Sequence, residues 1–157
     1  MKKLIISAIA LLGISWANAV KAEADMVYMA IIGGQCQKLT VLGNDFTSIC
    51  RDKLINMSWN NGRVLYMVST DTEDTILLSF SGGKSQQPRL ERYTLFLDTL
   101  RIADGEDISE QGIIGTCEMW GDLLKEKALH KCVAQNVDGG EIIFEFQSDP
   151  NQIEVIN

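Results

Sequence analysis

The chain has 157 residues, 46% of them hydrophobic, with 14 basic residues against 21 acidic ones and a net charge of −7. That length fits one domain with a core of its own, and the hydrophobic content excludes a disordered tail. The acidic balance argues against nucleic acid and anionic membrane surfaces as partners, since both call for basic patches, and it is compatible with a cationic partner.

The first element in chain order is an export signal. Met-Lys-Lys is followed by an uncharged run from Leu4 to Trp16 and then by Ala17-Asn18-Ala19. A basic start, a short apolar run and small residues at −3 and −1 define a secretory signal peptide over residues 1–19. The apolar run is shorter than the ~20 residues that span a bilayer. Ala22, in Val20-Lys21-Ala22, offers a second cleavage point. Cleavage after Ala19 removes Lys2 and Lys3 and leaves 138 residues, 12 basic and 21 acidic, with a net charge of −9. No later run is long and apolar enough to cross a membrane, so residues 20–157 are expected to form a single β-rich domain without membrane insertion. Periplasmic or secreted localisation follows from the signal. The ends, 20–26 and 148–157, are polar and are expected to be loose.

The mature chain then reads as strands and turns. Gln37 to Leu42 is a short β-rich run, Gly43-Asn44-Asp45 is a turn, and Phe46 to Ile49 returns beside the first run. Ile55 to Trp59 alternates apolar and polar residues. Asn60-Asn61-Gly62 follows, and Arg63 to Val68 comes after it; Asn-Gly between β-type runs points to a type I′ hairpin. Ile76 to Phe80 is a strand and Gly82 to Arg89 a polar loop. Arg92 to Ile102 is a long strand with Tyr93, Leu95 and Leu97 on one face and Phe96 on the other. Ala103 to Gly112 reads as an acidic loop and Ile113 to Trp120 as a strand. Gly121 to Leu129 is charged and predicts one or two helical turns. His130 to Val137, the Asp138-Gly139-Gly140 turn and Glu141 to Phe146 close the series with a hairpin. About eight strands at roughly 10-residue spacing predict an all-β domain, an antiparallel sandwich or small barrel with one short helix.

The four cysteines reinforce that reading. An even number behind a signal peptide indicates disulfides, and pairing in sequence order, Cys36–Cys50 and Cys117–Cys132, closes the smallest loops. Each bridge is worth on the order of 3 kcal/mol through restriction of the unfolded chain. There is no C-x2-4-C knuckle for zinc and no C-x-x-C for thiol exchange.

No catalytic constellation emerges. Gly83-Lys84-Ser85 resembles the end of a phosphate loop, but Leu78 stands where the earlier glycine belongs. Phe80-Ser81-Gly82 falls short of a nucleophile elbow, because position 79 is serine. His130 is the one histidine, so any Ser-His-Asp triad would depend on it. Asp71-Thr72-Glu73-Asp74 and Asp104-Gly105-Glu106-Asp107 do not fit a calcium loop and read as solvated turns. Asn56-Met57-Ser58 is a glycosylation sequon in a strand pattern. Most aromatics sit on strand patterns and are expected in the core. Trp59, beside the Asn-Gly turn, and Trp120, at a strand end, are the candidate exposed contacts.

The spacing Cys36-x-x-Leu39-Thr40-Val41-x-Gly43-x-Asp45-x-Thr47-x-x-Cys50, with Leu54-Ile55-Asn56, Asn61-Gly62-Arg63, Ser79-Phe80-Ser81-Gly82, Gly115-Thr116-Cys117 and Cys132-x-Ala134, resembles a group of small secreted two-disulfide proteins of Gram-negative bacteria. The resemblance covers most of the mature chain and rests on turn and cystine motifs. It implies a fold and carries over no activity and no site residues. Two functional classes stand from the sequence: an exported non-enzymatic β-domain with a binding or structural role, and a small-ligand carrier built as a closed barrel. A carboxylate-based hydrolase or a protease inhibitor ranks below both. No cofactor or metal is implied.

Overall fold

The computed structural model describes residues 23–156. The signal segment 1–19 and both cleavage points lie outside the described residues. Ten strands follow in order: β1 (Met26–Val41), β2 (Asn44–Asp45), β3 (Cys50–Trp59), β4 (Val64–Thr70), β5 (Ile76–Gly82), β6 (Lys84–Arg89), β7 (Arg92–Asp104), β8 (Asp107–Trp120), β9 (Leu129–Asn136) and β10 (Glu141–Ile156).

Eight of these close a barrel. The antiparallel order runs β10-β9-β8-β7-β5-β4-β3-β1, and β1 pairs back onto β10. Neighbours in space are neighbours along the chain, joined by short turns, so this is an up-and-down barrel and not a sandwich. β2 and β6 are side elaborations on β1 and β7. Closure depends on the carboxy-terminal segment. Residues 148–156, expected to be loose, extend β10, and Ile153 to Ile156 pair with Ile32 to Met29.

Side-chain alternation sends one set of residues inward. Leu39, Leu54, Leu78, Phe80, Leu95, Leu100, Ile142, Phe144 and Phe146 are fully buried in that interior. Phe80 stacks on Phe144 with ring centroids 5.8 Å apart, and Phe144 on Phe146 at 6.1 Å. Eight strands leave just enough room for side chains to fill the centre, and these three rings stack within it. Charged residues such as Asp98, Arg101, Glu118, Lys131 and Glu145 occupy outward positions of β7 to β10. An apolar centre with a charged exterior is the reverse of the pattern in a membrane-spanning barrel.

Several local expectations are corrected. The type I′ turn is not at Asn61-Gly62. There the Gly62 amide returns to the Trp59 carbonyl and the Trp59 amide bonds the Arg63 carbonyl, and only Gly62 has positive φ, at 82°. That is a three-residue loop with a glycine bulge. The same hydrogen bonds join Asn136 to Gly140 across Gly139. The turn with two left-handed residues is Leu42-Gly43, at φ 51° and 86°, between the paired Val41 and Asn44.

Phe46 to Ile49 is a 3-10 turn over Thr47–Ile49, not a return strand. Within the expected polar loop Gly82–Arg89, Gly82 ends β5 and Lys84–Arg89 form strand β6, and the acidic loop Ala103–Gly112 shrinks to Gly105-Glu106 between the paired Asp104 and Asp107. Gly121–Leu129 forms no helix. Trp120 is paired with Leu129, so eight residues must close a hairpin. They make one isolated turn, with the Lys125 and Glu126 amides both on the Asp122 carbonyl.

Candidate functional site

The two bridges join the pairs closest in sequence. Cys36–Cys50 ties β1 to the start of β3, with Cα atoms 6.1 Å apart. Cys117 and Cys132 are register partners on β8 and β9, their Cα atoms 3.9 Å apart and both side chains in the core. Both bridges are structural: they lie on the barrel wall and leave no free cysteine among the described residues.

The candidate catalytic motifs come apart in three dimensions. Ser81 faces outward from β5, where its Oγ accepts a 3.0 Å bond from Arg63. His130 faces inward from β9 and is 3% exposed, so the sheet separates the two. Lys84 and Ser85 lie on exposed strand β6 with no helix behind them. Asp71 pairs with Arg51 at 3.1 Å in the β4–β5 turn. Among the described residues there is no group of three or more His, Cys, Asp or Glu able to hold a metal ion.

Trp59 and Trp120 are both half-buried and outward-facing. Trp59 lines an open groove of 530 Å³ on the outer wall with Arg63 and Arg101. Arg63 is engaged there: it bridges Asp98, Ser81 and Thr99 through one guanidinium. Asp98 is held below the usual carboxylate range: burial opposes that fall, while bonds from Thr99, Arg63 and the Gly83 amide drive it. Trp120 ends β8 between its partners Arg92 and Leu129 and lies apart from that groove.

The site that sequence reasoning missed is the barrel mouth. At the end formed by the start of β1, the β3–β4 hairpin and the adjoining ends of β7, β8 and β9, the filling stops. A cavity of 310 Å³ opens there, walled by Tyr28, Asn56, Ser58, Tyr66, Tyr93 and Met119. Gln87 of β6 and Leu123 of the 121–128 turn line its outer side. The position of this end follows from an inverted alternation. Along Ile55 to Trp59 the polar residues Asn56 and Ser58 point inward, opposite Tyr66 and Val64, while Ile55, Met57 and Trp59 point out.

The turn beside the mouth is anchored. The Ala128 amide donates to Ser148 Oγ at 2.9 Å and the Ser148 amide to the Ala128 carbonyl at 2.8 Å, both in the interior. The Gly121 amide donates to the Glu91 carbonyl at 2.9 Å, tying this turn to the tip of the β6–β7 hairpin.

The mouth is polar but uncharged. Asn56 donates one amide N–H to the Leu65 carbonyl at 3.4 Å. Tyr93 Oη is buried without a partner. Burial raises its pKa and the nearby Ser85 hydroxyl opposes the rise, but the geometry between them falls short of a hydrogen bond. Burial also raises the Tyr28 and Tyr66 phenols, so all three are neutral at physiological pH.

Beneath the cavity, His130 meets Tyr66 edge-on at 5.8 Å and Phe146 at 6.3 Å, and it is the register partner of Met119. Neither Nδ1 nor Nε2 has a partner. Burial alone moves its pKa down to about 4, so the ring is neutral. In the sequence, the one available signal was polar residues on the same strand face as core positions, as with Asn56 and Ser58 relative to Leu54.

Compared with known proteins, the chain matches no family model, no curated protein and no solved structure.

Proposed function

We propose that the protein is an exported, non-enzymatic β-domain with a binding role, and that it acts as a small-ligand carrier at the barrel mouth. One observation carries the carrier form. The barrel is closed and packed with apolar side chains except at one end, where 310 Å³ remains between polar and aromatic groups. That volume stands at the lower end of the range for small-molecule sites. The 530 Å³ groove on the outer wall is larger, but it lies outside the barrel, and one of its two arginines, Arg63, is ion-paired with Asp98.

A periplasmic or secreted setting is supported by the signal motif and by two disulfides, which persist in oxidising compartments. No described helix is long and apolar enough to cross a membrane, and the barrel wears its charges outside. The non-enzymatic reading is supported by the separation of Ser81 from His130 and by a cavity lining without a carboxylate. A hydrolase that uses paired acids finds no such pair in the mouth.

Native mass spectrometry of the protein recovered from the exporting cell tests this reading. The expected result is a mature mass lacking the signal segment and four hydrogens, accompanied by a species retaining one small molecule. A protein that never carries or takes up a small molecule, in native spectra or on incubation with a fragment library, contradicts the carrier reading.

A further inference from the structure

Given a binding role for the mouth, its lining narrows the occupant. No charged side chain borders the cavity. An ion entering it would lose its hydration without gaining a counter-charge, which is costly in a partly dry site. A purely apolar molecule would displace the water that meets Asn56 and Ser58, whose side chains have one protein hydrogen bond between them, a loss comparable to one unmade hydrogen bond. The walls are also aromatic: the rings of Tyr28, Tyr66 and Tyr93 border one small space. Aromatic rings favour flat partners in offset or edge-on contact.

We infer that the mouth takes a neutral, flat ring molecule bearing both a hydrogen-bond donor and an acceptor, with Asn56 and Ser58 as its polar contacts and Tyr28, Tyr66 and Tyr93 as its aromatic ones. The cavity size limits the occupant to one or two rings. This inference rests on the mouth-binding reading above, and three probes separate its failure from the failure of that reading.

Nicotinamide, toluene and benzoate are titrated into the mature, disulfide-bonded protein. They share a six-membered ring and differ in being neutral polar, apolar and charged. Calorimetry gives the affinity, and the Met119 methyl resonance reports whether the ring enters the mouth. The expected result is a Met119 shift with nicotinamide and an affinity at least about tenfold above that for toluene or benzoate. Ser58→Ala keeps the fold of the strand and removes one polar contact. It is expected to weaken nicotinamide by about 3- to 10-fold, the worth of one hydrogen bond, and to leave toluene unchanged or tighter. Should that variant not fold, Asn56→Ala, which removes the other polar contact, serves with the same expected direction. Toluene or benzoate binding as well as nicotinamide, with Met119 shifted, overturns the inference and leaves the mouth as a binding site. A Met119 methyl unmoved by all three probes overturns both.

Discussion

His130 shows how a single buried residue makes the barrel sensitive to acid. Its ordinary pKa near 6.5 applies to the unfolded chain, and burial holds the folded value down to about 4. The unfolded chain therefore takes up the proton first. The contribution is fully present above pH 6.5, is lost as pH falls from 6.5 to 4, and levels off below 4. The loss amounts to about 3 kcal/mol. No carboxylate touches the ring; its contacts are Tyr66, Phe146 and Met119. Denaturant unfolding of the parent and of His130→Leu at pH 7 and pH 4 checks this. The parent is expected to lose about 3 kcal/mol more than the variant over that interval, whereas parallel losses would assign the acid sensitivity to the carboxylates. Of the residues at the mouth, Tyr93 was placed on the face of Leu95 and Leu97 by alternation alone. Asn56 and Ser58 were not legible as a site, because polar residues on a strand ordinarily face solvent. Only the register with Tyr66 and Val64 turns them inward.

At the scale of elements, the bend between β5 and β6 decides how the mouth is bordered. β5 and β6 pair in succession with one long strand, β7: Ser81 opposes Thr99, and Lys84 opposes Phe96. The step between them is possible because Gly82 lies against the neighbouring backbone. A Cβ there would sit 1.8 Å from the Phe96 carbonyl oxygen. Gly82→Ala is expected to cost about 3 kcal/mol or more, the upper end for forced overpacking. Gly43→Ala is the contrast. Its φ of 86° is left-handed but nothing lies within 4 Å, so it carries only the conformational cost of about 1–2 kcal/mol. Thermal unfolding of the two variants checks the order, and an equal or smaller loss for Gly82→Ala would contradict the close approach. Turn positions were readable from Asn-Gly and Asp-Gly pairs, although the turn type at Asn61-Gly62 was not, since the hydrogen bonds that select it belong to both strands. β6 escaped notice because its six residues are all exposed and include Pro88, so no alternation marks it. The charged 121–128 segment carried helix-type residues, but the pairing of Trp120 with Leu129 leaves room for one turn.

For the whole molecule, closure is what turns a meander of hairpins into a barrel. The all-β class and the hairpin order follow from local patterns. The choice between sandwich and barrel does not, because it depends on pairing β10 with β1, which joins residues at opposite ends of the chain and leaves no local signature. That pairing also recruits the polar tail, whose side chains gave no reason to expect a strand. Once closed, the barrel sorts its methionines. Met29, Met57 and Met67 lie on the outer faces of β1, β3 and β4, Met26 is exposed at the start of β1, and Met119 alone of the methionines among the described residues borders the inner cavity. Five methyl groups thus report separately on outside and inside. Methyl NMR of the methionine-labelled protein, titrated with nicotinamide, tests the proposed binding at the mouth most directly. The account predicts that Met119 shifts with saturation while Met29, Met57 and Met67 stay in place. Shifts confined to the outer methionines, with Met119 unmoved, would contradict it.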